Sequence, residues 1–421
     1  MSNTLKSNVT INYNTSFTLV TISMAIFLNQ SNILFGVNIS YADFFCMVVL
    51  LTLVHKNSLL FPFAPTVFFL ILSAFLLSSS IYYVPIKFLY YPEQTNIMVN
   101  YIKLLLTFLY FIIGYTLNNE ILIEKTIKWY SLFSLLIGVV GIVFIIFNIK
   151  LSETMFLDYR FKGLMNDPNY FSIIQISALV YFSRVKNIKF INRRVAILLI
   201  FISIIASGSK TGLITLFCYI FFRVLESIIK QKKNARYFIM CIPIIFLMIF
   251  LKINFSGSLQ GIIEHISSII PTFSRLQFLF TDFNAAIFEN GSGRNTTWEV
   301  AVEIIKISPI MGVGIGTYSG IAQKVFGTDS IAHNTYLQLF AEWGILFSII
   351  LFIYIFYIIG RVTLDRKLNR EINLILRDIL IVFLIGSFAI SLNNARMVWF
   401  FLGIIAFNIG QNKQKKTTES P

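Results

Sequence analysis

Four basic residues stand where a cation could do chemistry. They are Arg160 in DYRFKGLMNDPNYF, Lys210 in SGSKTG, Arg294 in GSGRNTTW and Arg396 in NNARMVWF. Brought together, such groups bind phosphate or diphosphate oxygens, arginine through a bidentate fork and lysine as a point charge. His333 stands beside Asn334 at the head of a long apolar run. Its near-neutral pKa makes it eligible as a general base. Asn169 follows Asp167-Pro168, a pair suited to a helix cap and first turn as well as to a substrate contact. Each residue also has a plain reading. Interfacial Arg and Lys snorkel toward lipid head groups, and a lone His beside Asn is commonly structural.

Other chemistries find no support. Gly312-Val313-Gly314-Ile315-Gly316 is glycine-rich, but no strand precedes it and no acidic partner follows, so it reads as a backbone break rather than a nucleotide loop. There is no Walker sequence, no Ser-His-Asp context and no metal-ligand cluster, so neither a cofactor nor a metal is expected. Cys46, Cys218 and Cys241 fall in apolar segments at unrelated spacings and read as small core hydrophobes.

The elements that must position these residues are dictated by composition. Of 421 residues, 57% are hydrophobic and 13% charged, with a mean hydropathy of +0.77. A water-soluble fold cannot hide that much apolar surface. Repeated apolar windows of about 20 residues, each able to cross a core of roughly 30 Å, predict an all-α polytopic membrane protein. Twelve spans are expected: 17–35, 41–54, 60–80, 97–117, 127–147, 168–183, 195–206, 211–229, 237–251, 337–360, 378–392 and 397–409. The polar start leads directly into further spans, so no cleavable signal peptide is expected.

The net charge of +15 does not point to nucleic acid, because the bases sit in short clusters between apolar runs. Alternate loops and the tail hold about 22 of the 34 lysines and arginines, which places those segments and both termini in the cytoplasm. The residues 81–96, 148–167, 207–210 and 252–336 then face outward. The chain reads as one integral membrane domain, 1–421, with 252–336 as a large, partly helical periplasmic loop. Within it, an amphipathic helix is expected over about residues 295–307. Thr296 and Glu299 would form its capping box, Trp298, Ala301, Val302 and Ile305 its apolar stripe, and Pro309 its end.

Taken in order, RFKGLMNDPNYF, SGSKTG, GRNTTWEVAVEIIKISPIMGVGIGTY and HNTYLQLFAEWGILF resemble the O-antigen polymerase and O-antigen ligase superfamily. The motif resemblance spans roughly residues 160–346. It implies a metal-independent, GT-C type glycosyltransferase that uses undecaprenyl-diphosphate-linked oligosaccharide at the outer face of a bacterial inner membrane. By that resemblance Arg294 and Lys210 hold the donor diphosphate and Arg160 assists. The resemblance also implies that His333 acts as base or orients the acceptor hydroxyl; apart from it, Asn169, Asn334 and Arg396 are further substrate-binding candidates. The family often carries Arg at the Lys210 position, and lysine lacks the bidentate fork. Membrane lipids are expected partners, and the resemblance admits a chain-length regulator protein as another. The reading adopted is an inverting polymerase of surface-polysaccharide repeat units. An O-antigen ligase acting on lipid A-core is the alternative, as is a Gram-positive capsule polymerase. A flippase of the same lipid would call for inverted repeats and midplane charges, which the sequence does not display.

Overall fold

The computed structural model describes residues 15–31, 40–147, 149, 154–186, 188, 191–230, 261, 294–329 and 331–418. The described chain is all-α apart from one two-residue hairpin. Its helices are α1 (Thr15–Phe27), α2 (Tyr41–His55), α3 (Phe63–Ser78), α4 (Val84–Phe88), α5 (Gln94–Thr116), α6 (Glu120–Ile146) and α7 (Pro168–Arg184). They continue as α8 (Arg193–Ala206), α9 (Lys210–Lys230), α10 (Arg294–Ile307), α11 (Tyr318–Phe326), α12 (Thr335–Leu364), α13 (Glu371–Gly386) and α14 (Arg396–Thr418). Strands β1 (Phe156–Leu157) and β2 (Arg160–Phe161) pair antiparallel ahead of α7.

Among the described residues, five helices are long and apolar enough to cross a membrane: Phe63–Phe88, Gln94–Thr116, Glu120–Ile146, Lys210–Ile228 and Thr335–Leu364. Thr15–Phe27, Tyr41–His55 and Arg396–Gln411 are shorter apolar helices. The expected span 237–251 lies outside the described residues, as do Cys241 and residues 252–260 and 262–293 of the expected loop.

Two expected spans are corrected at their ends. Helix α1 stops at Phe27 rather than running to residue 35, because Asn29 and Gln30 spend their side chains on a corner. Asn29 donates to the Ile26 and Tyr130 carbonyls at 3.0 and 3.1 Å, and Gln30 accepts from the Tyr41 amide at 2.9 Å. Helix α13 covers Glu371–Gly386 rather than 378–392. Residues 387–395 are irregular, pinned where the Thr335 hydroxyl bonds the Ile390 carbonyl (2.7 Å) and the Leu392 amide (2.8 Å). Irregular backbone at the end of an apolar bundle is tolerated where it lines a polar cavity.

The bundle is drawn together by small residues and by charge. A Cβ on Gly114 would sit 2.1 Å from the Phe400 carbonyl oxygen, and one on Gly403 would sit 2.1 Å from that of Phe111. Thus α5 and α14 touch backbone to backbone, an approach that any side chain would block. At the end of the bundle where α7 stops, Asp378 is fully buried. It accepts from Arg184 (2.7 Å), Arg223 (3.2 Å), Tyr219 (3.0 Å) and Arg377 (2.7 Å), while Glu226 pairs with Arg184 and Arg377. Helices α7, α9 and α13 are thereby locked at one end. The cations singled out in the sequence stand at the other, where α7 and α9 begin.

There, α4, α10 and α11 form a small second core. Val84 and Phe88 pack with Val300, Ala301, Ile304 and Ile321. The capping-box expectation is corrected: α10 begins at Arg294, so Thr296 stands inside the first turn. The apolar stripe is rotated as well. Thr297, Val300, Ala301 and Ile304 are buried, whereas Val302 is exposed.

Candidate functional site

The turn between α8 and α9 is built from Ser207-Gly208-Ser209, with Gly208 in the left-handed region (φ 57°). This places Lys210, nearly buried, at the first position of α9. Gly212 is needed for closeness, since a Cβ there would lie 2.4 Å from the Ser172 hydroxyl of α7. The start of α7 is fixed by Asp167, one of whose carboxylate oxygens accepts from the Asn169 and Tyr170 amides at 2.7 and 3.2 Å. Asn169 then faces the serine turn, and its side-chain oxygen accepts from the Ser209 hydroxyl at 2.8 Å.

Arg160 arrives from β2 and is buried. Its Nε donates to the Ser207 carbonyl at 3.1 Å and its Nη2 to the Asn169 side-chain oxygen at 3.2 Å. Arg294 stands at the N-terminus of α10, and its Nη2 donates to the Thr211 hydroxyl at 2.8 Å. Hydrogen bonds therefore connect the DYRF, NDPN, SGSKT and GRNTT motifs across more than 130 positions of sequence.

His333 stands next to this group with a left-handed backbone (φ 48°), which is uncommon for any residue but glycine. Its neighbours hold it there. The Ala332 amide donates to Gln338 at 3.0 Å, and Asn334 caps α12 by accepting from the Tyr336 and Leu337 amides at 3.0 and 3.1 Å. Left-handed residues retained by such bracing are concentrated at functional sites. The His333 ring is open to a cavity yet walled in by neighbouring atoms. Burial lowers its pKa from the ordinary histidine value, Asp167 opposes that by favouring the imidazolium, and Arg294 again lowers it. The neutral imidazole, the form able to accept a proton, is favoured.

His333 and Asp167 form one wall of a cavity of about 670 Å³. Its other walls bring in residues that the sequence motifs did not single out, among them Lys103 of α5, Tyr170 of α7, Tyr318 of α11 and Gln338 and Glu342 of α12. The signal available for Lys103 and Glu342 was a charge inside an apolar helix; their meeting was not readable. Arg396 also lines the cavity, but it is committed to a bidentate pair with Asp43 at 2.6 and 2.7 Å, which ties α14 to α2. Asn334 is likewise engaged as a cap. Arg160, Lys210 and Arg294 are absent from the cavity lining, whereas His333 lines the cavity and lies within electrostatic range of Arg294.

The glycine-rich segment is a structural thread. Gly312, Gly314 and Gly316 all have positive φ. The segment runs between the break in α12 at Gly344 (φ 73°, ψ 166°) and the π-helical turn Ser79–Tyr83 between α3 and α4. The Val313 and Gly314 amides donate to the Ala341 and Glu342 carbonyls at 2.8 and 3.0 Å, and the Ile315 amide donates to the Ser80 hydroxyl at 2.6 Å. This thread fixes the height of Glu342 in the cavity wall. Among the described residues, no three His, Cys, Asp or Glu side chains are grouped as a metal site would need.

No curated protein matches the chain, and no solved structure does. A family model described as O-Antigen ligase matches residues 195–353, from α8 into α12. The match begins after Arg160 and Asn169 and ends before Arg396, but it takes in Lys210, Arg294, His333 and Asn334. Over residues 195–353 the chain is similar to the O-antigen ligase family.

Proposed function

We propose that this chain is a membrane glycosyltransferase that transfers glycan from a polyprenyl-diphosphate donor in surface-polysaccharide biosynthesis. The observation that supports it best is the hydrogen-bonded assembly of Arg160, Asn169, the Ser207–Thr211 turn and Arg294 beside His333. Lys210 and Arg294 bind the diphosphate of an undecaprenyl-linked oligosaccharide, and Arg160 and Asn169 hold the turn that presents Lys210. An acceptor hydroxyl enters from the cavity and loses its proton to the neutral His333 ring as its oxygen bonds the anomeric carbon. The bond from that carbon to the diphosphate oxygen breaks, and the electron pair leaves with undecaprenyl diphosphate, whose charge the cations stabilise. The displacement is in line and inverts the anomeric centre. His333 then passes its proton to water.

In this reading the chain crosses a bacterial inner membrane twelve times with both termini cytoplasmic. The cation end faces the periplasm, and residues 252–336 are its large outer loop. The acceptor is a second lipid-linked repeat unit, which makes the enzyme a polymerase. The ligase reading, with lipid A-core as acceptor, is favoured by the description of the matching family.

The test is the surface polysaccharide of a deletion strain. A lost polymerase leaves single repeat units on lipid A-core, whereas a lost ligase leaves long lipid-linked polymer; unflipped repeat units would overturn both. Complementation with Arg294→Glu or His333→Asn should fail, asparagine being chosen because it tolerates the left-handed backbone. Full activity of Arg294→Glu would remove the diphosphate role, and full activity of His333→Asn the base.

A further inference from the structure

The cavity that His333 lines also holds charged groups that helix packing does not require. Lys103 and Glu342 belong to helices long and apolar enough to cross a membrane, where ionisable residues are costly and are kept at polar cavities with a task. Both line the cavity. They lie within electrostatic range of each other, yet Lys103 has no ion-pair partner within 4.0 Å among the described residues.

A second, independent observation comes from Tyr318. This residue is only 3% exposed, its hydroxyl is buried without a hydrogen-bond partner, and it lines the same cavity close to Glu342. A native fold rarely leaves a buried hydroxyl unpaired unless something absent completes it. Gln338 joins this wall to the candidate base. Its side-chain oxygen accepts from the Ala332 amide at 3.0 Å, one residue before His333, and its amide donates to the Glu342 carboxylate.

We infer that Lys103, Tyr318, Gln338 and Glu342 form the subsite that recognises the acceptor glycan. The inference rests on the glycosyl-transfer reading. The donor set matches a polyol. A carboxylate accepts from adjacent sugar hydroxyls, while an ammonium and a phenol donate to hydroxyl or ring oxygens. The occupant is the acceptor rather than the donor because in-line displacement brings the attacking hydroxyl from the side opposite the leaving group. The diphosphate cations are outside the cavity lining, which His333 shares with Lys103, Tyr318, Gln338 and Glu342. Since Gln338 bonds both the His333 loop and Glu342, a sugar seated on the wall is registered against the base.

The experiment uses the full chain in detergent, with the free repeat-unit oligosaccharide released from the host's own polysaccharide as the probe. Binding is measured by titration calorimetry, transfer with lipid-linked repeat units. Tyr318→Phe removes only an unpartnered hydroxyl, so the unliganded protein should be at least as heat-stable as wild type while its oligosaccharide affinity falls roughly tenfold. Glu342→Gln and Lys103→Gln should weaken binding at least as much, and Arg294→Gln should keep oligosaccharide binding while losing transfer. Wild-type affinity in Tyr318→Phe and Glu342→Gln, with transfer still abolished by Arg294→Gln, would overturn the subsite and leave the enzyme reading standing. Undiminished transfer in Arg294→Gln would instead strike at the enzyme reading itself.

Discussion

Arg160 separates charge from bracing in this site. Arg160 is 5% exposed, and its guanidinium bonds the Ser207 carbonyl at 3.1 Å and the Asn169 side-chain oxygen at 3.2 Å. Each hydrogen bond from a charged donor contributes about 1.5–3 kcal/mol, so losing both in Arg160→Met should cost about 3–6 kcal/mol. Asn169 retains Ser209, but the Ser207 carbonyl is buried and would lose this donor. Arg160→Lys keeps the charge, but its single ammonium cannot reproduce a fork reaching both acceptors. Lysine should therefore recover only the smaller part of the stability, and the Lys210 turn should drift in both variants. Thermal unfolding in detergent, beside transfer of lipid-linked glycan, measures both effects. Wild-type stability and activity in Arg160→Lys would refute the bracing argument and reduce Arg160 to a charge.

At the opposite end of the bundle, Asp378→Asn leaves Arg184, Arg223 and Arg377 facing Glu226 alone, and should destabilise the protein by about 3–5 kcal/mol. Denaturant titration checks this, and folded Asp378→Asn should keep wild-type KM because the candidate site is at the other end. The pH–rate profile tests His333. Burial and Arg294 depress its pKa and Asp167 opposes them, so activity should hold as pH falls and disappear only below the ordinary histidine range. Asp167→Asn preserves the cap but removes the charge that favours imidazolium, so its acid limb should move to lower pH. Arg294→Gln, which loses transfer and is followed instead through the His333 ring resonances, should titrate at higher pH. Shifts of the same sign in both would refute the electrostatic arrangement.

Much of the fold was legible because lipid imposes a coarse rule that hydropathy reads directly. The long apolar helices follow the expected windows, and α10 begins within a residue of its expected start. The failures came where a polar side chain had a distant partner. Asn29 and Gln30 end α1 through bonds to Tyr130 and Tyr41, and Thr335 holds residues 387–395 out of helix. The stripe on α10 was misjudged because its buried face is chosen by Val84, Phe88 and Ile321, far away in sequence.

Within the candidate site the division is similar. Arg160, Lys210, Arg294 and His333 stood out because each is a costly residue in an apolar chain. Arg396 stood out for the same reason, and its bidentate pairing with Asp43 was invisible because the two are 353 positions apart. Lys103 and Glu342 drew no notice, since a single charge in a long helix carries no spacing signal.

The sequence by itself determined an all-helical, lipid-compatible chain and the motifs that resemble a lipid-linked glycan transferase, because both are written in local composition and short residue strings. Only the tertiary structure decided which cations meet, that His333 is held in a left-handed turn at a polar cavity, and that Lys103, Tyr318 and Glu342 line the same cavity. Those relations depend on helix register and on hydrogen bonds between remote segments. Neither is encoded in any local pattern, because each is fixed only when the backbones pack.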